Sequence, residues 1–138
     1  MKELTTEADI QKLDEVLDFI DGYLEQWNCP LKALHQINIA AEEIFVNIAH
    51  YAYGDSTGEA KISIGKTGEF AEIIFTDSGM PYDPLAKPDP DITLPAEERD
   101  VGGLGIYMVK KSMDEVSYEY KDGCNVFTMR KLIGGREN

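Results

Sequence analysis

Apolar side chains recur every three or four residues in the first part of the chain. Ile10, Leu13, Leu17, Ile20 and Leu24 form such a stripe, with Asp and Glu between them, and Trp27 extends it. This spacing predicts an amphipathic helix, ending near Asn28-Cys29-Pro30, where proline stops one helix and can open the next. A second helix is predicted from Leu31 to Ala52, with Leu34, Ile37, Ala41, Ile44 and Ile48 as its main apolar face and the turn residues Gly54-Asp55-Ser56-Thr57-Gly58 beyond it. Ahead of both, Leu4 to Thr6 suits a short edge strand. The period then changes to two. Ala60, Ile62 and Ile64 alternate with Lys61 and Ser63, Thr67-Gly68-Glu69 reads as a hairpin turn, and Phe70 to Thr76 forms a second strand that runs into Asp77.

Ser78 to Val101 has no period and contains Pro81, Pro84, Pro88, Pro90 and Pro95. A loop of this length is usually functional or mobile. A helix over Ile106 to Met113 follows, then strands over Val116 to Tyr120 and Asn125 to Leu132, joined by the turn Lys121-Asp122-Gly123-Cys124. Gly134 to Asn138 reads as a frayed tail. Two hairpins separated by helices predict an α+β, two-layer fold over residues 1–138. Three main helices would cover one face of a mainly antiparallel or mixed sheet. No repeat or linker divides the chain.

Composition narrows the function classes. With 26 acidic and 13 basic residues the net charge is −13. That disfavours direct contact with nucleic acid or an anionic membrane and leaves a basic protein partner open. No apolar run approaches a membrane span. The polar, acidic start lacks the pattern of a secretory signal, so a cytoplasmic protein is expected. Cys29 and Cys124 form no CxxC pair and read as reduced thiols; His35 and His50 offer no zinc cluster.

Three short features could carry chemistry. Glu43 and Asn47 are four apart and share one face of the second helix, roughly opposite its apolar stripe, yet Ile39, Val46 and Ala40 border them. Such a pair suits a pocket wall, where the carboxylate can accept a proton and the amide oxygen can ligate Mg²⁺. Taken alone, the pair is better explained as a solvated helix face. Asp77-Ser78-Gly79 ends an apolar strand, and glycine there allows a ligand close to the backbone; an ordinary turn is the plainer explanation. Gly102-Gly103-Leu104-Gly105 precedes a helix, where free N–H groups and the helix dipole attract anions. It is neither a Walker A loop nor the dinucleotide fingerprint, and a flexible helix entry remains the alternative.

Taken in order along one α+β chain, the three are far more specific than any alone. The sequence resembles the GHKL (Bergerat) ATPase superfamily, and most closely the RsbW-type anti-sigma factor serine/threonine kinases. Glu43-Ile44-Phe45-Val46-Asn47 matches the N-box, Asp77 to Pro84 the first glycine box, and Gly103-Leu104-Gly105-Ile106 the second. The resemblance covers residues 4 to 132. It implies that Asn47 holds Mg²⁺ on the phosphates of ATP and that Glu43 acts as general base or orients the nucleophile. Asp77 would accept a hydrogen bond from the adenine amino group, with Gly79 giving the ring room. Gly102, Gly103, Leu104 and Gly105 would close on the phosphates, residues 80–102 would be an ATP lid, and Thr128 would place a hydroxyl near adenine.

The implied activity is phosphorylation of a Ser or Thr on an anti-anti-sigma (STAS-domain) partner, with a sigma factor as second partner. The resemblance also implies a homodimer; the stripe of the first helix suits either that interface or the core. Two positions depart from the family. Tyr51, beside His50, stands where relatives often have His. Val101 stands where they often have an Arg that reaches the terminal phosphate, and Arg99 or Lys110 is the nearest substitute. The alternative is therefore a non-catalytic ATP- or ADP-binding module that regulates its partner by occupancy. No phospho-acceptor histidine motif or sensor helices accompany the motifs, so a full sensor histidine kinase is not expected.

Overall fold

The computed structural model describes residues 1–86 and 103–134. A strand over Lys2–Glu7 (β1) leads through a 3-10 turn at Ile10–Lys12 into a helix over Leu13–Gln26 (α1). A helix over Leu31–Tyr51 (α2) precedes strands Glu59–Thr67 (β2) and Phe70–Asp77 (β3). A 3-10 turn at Pro84–Ala86 follows. Beyond it come a helix over Gly103–Ser112 (α3) and strands Glu115–Lys121 (β4) and Cys124–Leu132 (β5). The element order is the one the periodicities predict. The largest boundary difference is at α3, which begins at Gly103 rather than Ile106.

Local chemistry sets the ends. α1 stops where Asn28 takes φ 58°. The Cys29 N–H reaches back to the Leu24 carbonyl at 2.9 Å and the Asn28 N–H to that of Glu25 at 3.0 Å, the pair of bonds that closes a left-handed helix end. Pro30 then stands directly before the first residue of α2 with extended ψ. Between β4 and β5, Asp122 and Gly123 both have positive φ, 55° and 78°, the two-residue turn whose twist matches antiparallel strands.

The strands form one sheet in the order β1-β2-β3-β5-β4, and every pairing is antiparallel. The register sorts side chains into two faces. Ile62, Phe75 and Phe127 align across three strands, as do Ile64, Ile73 and Met129, and all six are buried. They join Ile37, Ala41, Ile44 and Ile48 of α2, Ile106 and Val109 of α3, and Met113 just beyond α3 in one core. The helices thus share one face of the sheet. The α1 residues Val16, Ile20 and Leu24 are fully buried in the same core. Packing against the sheet therefore accounts for the stripe of α1, which is rotated slightly toward Val16 from the face the spacing indicates.

The thiols of Cys29 and Cys124 are unbridged, and burial, with Asp21 nearby, pushes the Cys29 thiol up. No helix among the described residues is long and apolar enough to cross a membrane.

Candidate functional site

The alternation of β3 ends with Asp77 on the helix-covered side of the sheet, where the register sets it opposite Asn125 of β5. Both are buried, at 6% and 7% exposure. Buried polar groups at a strand end must find partners, and these two find them in each other and in the chain after β3. The Asn125 amide donates to Asp77 Oδ1 at 2.9 Å and to the Met80 carbonyl at 2.8 Å. Its carbonyl oxygen accepts from the Tyr82 N–H at 3.0 Å and from the Tyr118 hydroxyl. Desolvation raises the Tyr118 hydroxyl above its ordinary range. Asp77 Oδ1 also accepts from the Gly79 N–H at 2.9 Å. Both bonds to Asp77 fall on Oδ1, so Oδ2 carries none among the described residues.

The same loop is fastened to the end of α2. The Met80 N–H donates to the Ala52 carbonyl at 2.8 Å, and the Ser78 N–H to the Tyr53 hydroxyl at 3.0 Å. A Cβ at Gly79 would lie 2.1 Å from the Ala52 oxygen. The glycine is needed for this backbone approach.

On α2, Glu43 and Asn47 stand one turn apart and half-buried, with the Asn47 amide donating to Glu43 Oε2 at 3.2 Å. A carboxylate only accepts, so this bond turns the amide oxygen of Asn47 away from Glu43. Across from the pair lies the first turn of α3. A Cβ at Gly105 would come within 2.2 Å of the Glu43 carboxyl carbon, so a side chain there would have to push the carboxylate aside. Gly103, Leu104 and Gly105 form the first turn of α3 itself, and first-turn N–H groups lack partners within the helix. They form an anion-attracting end beside Glu43.

Beside Asn47 and Asp77 lies a pocket open to solvent. Its apolar walls include Ile44, Ile48, Phe75 and Phe127, and Asn47, Asp77 and Asn125 bring polar atoms to it. Small-ligand sites have this make-up: apolar walls with few, placed polar groups. Tyr51 and Tyr82 also line it, their ring centroids 6.2 Å apart. Tyr51, where relatives often carry His, is therefore at the site. His50 lines a separate hollow with Glu7 and Asp9.

The structure brings together Glu43, Asn47, Asp77, Gly79 and Gly105 as the motifs anticipate, and places the backbone of Gly103 and Leu104 in the same helix turn. Gly102, Val101, Arg99 and most of the lid segment 80–102 lie outside the described residues. One expectation is corrected. Thr128 aligns with Ile74 and Ser117, on the sheet face away from the helices, because residues alternate and its neighbours Phe127 and Met129 point into the core. A one-residue shift in the reading of β5 exchanges the faces.

The residue on the cavity side is Asn125, which the sequence reading passed over. The available signal was its parity with Phe127 and Met129 at a strand start. Thr128→Val is expected to leave nucleotide affinity at the wild-type value. Asn125→Ala, which strips partners from Asp77, Met80 and Tyr82, is expected to cost about 2–4 kcal/mol in urea unfolding.

Among the described residues no group of three or more His, Cys, Asp or Glu could hold a metal. Asn47, with its amide oxygen turned away from Glu43, could offer one hard oxygen ligand. That fits Mg²⁺, which commonly takes one or two protein oxygens and completes its shell with phosphate oxygens and water.

A helix-covered antiparallel sheet with an Asp-lined cavity at one end and a Glu–Asn pair facing a glycine-rich helix start defines a nucleotide-site architecture of the GHKL type. The chain belongs to the histidine kinase-like ATPase domain family, whose model matches residues 6–131. It is related to the serine-protein kinases RsbW of Bacillus cereus and Bacillus anthracis, each 32% identical over 104 residues. The match takes in 72% of this chain and spans 64% of the length of those relatives. The crystal structure of the RsbU and RsbW domains of a Mycobacterium tuberculosis protein superposes with a TM-score of 0.64 at 13% identity, over 99% of this chain and 34% of that one. At that identity the likeness concerns the fold.

Proposed function

We propose that this chain is an ATP-dependent protein serine/threonine kinase that phosphorylates an anti-anti-sigma (STAS-domain) partner and regulates a sigma factor. The observation that carries the reading is the Glu43–Asn47 hydrogen bond, set between the Asp77 cavity and the first turn of α3. Adenine would enter the cavity with its amino group on Asp77 Oδ2. The phosphates would run toward α3, where the N–H groups of Gly103, Leu104 and Gly105 would receive them. Mg²⁺, when bound through Asn47, neutralises the charge of the phosphates.

The acceptor hydroxyl oxygen would bond to the γ-phosphorus while the bond from that phosphorus to the β,γ-bridging oxygen breaks, and ADP would leave with the electron pair. Glu43 would take the hydroxyl proton. The Asn47 amide holds one carboxylate oxygen, which orients the other. Phosphoryl transfer relies chiefly on positioning and charge stabilisation, and these groups supply both.

The kinase relatives of Bacillus support this reading, as does the complete set of motifs. Incubation with γ-labelled ATP and a STAS-domain protein of the same organism is expected to label that protein on Ser or Thr. Tight ATP binding with no label transferred would overturn the kinase reading. That outcome would favour the second one, an occupancy-driven regulatory module, for which Val101 in place of an arginine speaks.

A further inference from the structure

The Glu43–Asn47 pair is a partition between two hollows. Asn47 lines the apolar cavity that Asp77 and Asn125 share. Glu43 lines a different one, an open groove of about 620 Å³ between α2 and α3, formed with Ile39, Glu42, Gly105 and Met108. Asn47 engages only Oε2 of Glu43, so Oε1 has no hydrogen bond among the described residues.

Two large apolar side chains stand in the open beside this carboxylate. Ile39 is 62% exposed and Met108 49% exposed, on neighbouring helices that each keep a buried face for the core. Neither is needed to close the cavity. Ile39 and Met108 line the same groove as the Glu43 carboxylate, so a segment that seats there meets apolar surface beside a proton acceptor. The groove also carries two carboxylates, Glu42 and Glu43, on a chain of net charge −13.

We infer that the Ile39–Met108 groove receives the acceptor segment of the protein substrate. The occupant that fits is an extended stretch bearing the acceptor hydroxyl, an apolar side chain beside it to fill the space between Ile39 and Met108, and a basic side chain in reach of Glu42. Nucleotide and acceptor then meet Glu43 from opposite sides of the partition. The hydroxyl reaches the carboxylate through the groove without crossing the adenine cavity, and its proton passes to Glu43 as the γ-phosphoryl group is transferred. This inference rests on the kinase reading for its chemistry, but the docking it describes can be measured without catalysis. Charge complementarity also predicts faster association at low salt.

The test is calorimetric titration of the full-length chain, loaded with a non-hydrolysable ATP analogue, with the STAS-domain protein. Ile39→Asp, Met108→Asp and Glu42→Lys are compared with wild type, and each variant is checked for unchanged melting temperature and unchanged affinity for the analogue. The inference predicts at least a tenfold weaker Kd for each variant. It further predicts that Glu42→Lys regains affinity when the basic residue beside the acceptor hydroxyl is changed to Glu. Equal Kd values for wild type and all three variants would overturn it, as would an absence of binding by wild type. Groove-dependent binding with no phosphoryl transfer would uphold the docking surface and overturn the kinase reading instead.

Discussion

Asp77→Asn is expected to weaken ATP binding about ten- to a hundredfold while leaving the fold intact, the loss typical of a hydrogen bond to a charged group. The reason lies in how its two oxygens divide their tasks. Oδ1 accepts from the Gly79 N–H and the Asn125 amide, and an asparagine oxygen can keep both bonds. The position of Oδ2, which faces the adenine amino group in the proposed complex, would become an NH₂. Two donors would then confront each other in a buried site, an arrangement that discriminates strongly. Titration calorimetry with Mg·ATP reads the affinity, and urea unfolding checks that stability has not moved with it. A variant that binds ATP as tightly as wild type would remove Asp77 from base recognition.

Glu43→Gln is expected to lower phosphoryl transfer about 10²- to 10⁴-fold, the usual contribution of a general base, with ATP affinity changed by less than about threefold. Glutamine keeps the size of the side chain and can still accept from the Asn47 amide, so the wall between cavity and groove stands. It cannot take the proton of the hydroxyl. Single-turnover transfer under saturating ATP separates the chemical step from binding. Retention of full transfer in this variant would show that the carboxylate is not the base. Unchanged partner regulation by Glu43→Ala would favour the occupancy-driven module.

Gly105→Ala bears on the same contact from the other helix. Its Cβ would fall 2.2 Å from the Glu43 carboxyl carbon, so either the carboxylate or α3 must shift. A displacement of about 1 Å at a reacting group can cost a hundredfold in rate. Transfer is therefore expected to drop sharply in this variant, more than its melting temperature would indicate.

Most of the fold was legible because each element advertises its period. Ala60, Ile62 and Ile64 alternate, as a strand half-covered by helices must, and Ile37, Ala41, Ile44 and Ile48 step by three and four along α2. Asn28 and Asp122-Gly123 stand where left-handed backbone is required.

The start of α3 was less visible. Glycine is a poor helix former, so local propensity places the helix after Gly105. Contact with α2 overrides this, since Gly103 and Gly105 begin a helix whose first turn lies against Glu43. Thr128 was misplaced for a related reason. A hydroxyl on the last strand fits the motif by type, but only the register with Ile74 and Ser117 shows which face it occupies.

The Ile39–Met108 groove depends on long-range packing that no local pattern marks, and Asn125 is marked only by its parity with Phe127 and Met129. Gly79 was found by its motif, yet the space it preserves is for the Ala52 carbonyl.

Thermal unfolding of the full chain with increasing Mg·ATP tests most directly whether Asp77, Asn47 and the first turn of α3 form one nucleotide site. At free nucleotide one hundred times Kd, such a site adds about 2.7 kcal/mol of stability, a rise of several degrees in Tm, reduced in Asp77→Asn and retained in Thr128→Val. A Tm that does not move at millimolar Mg·ATP would contradict it.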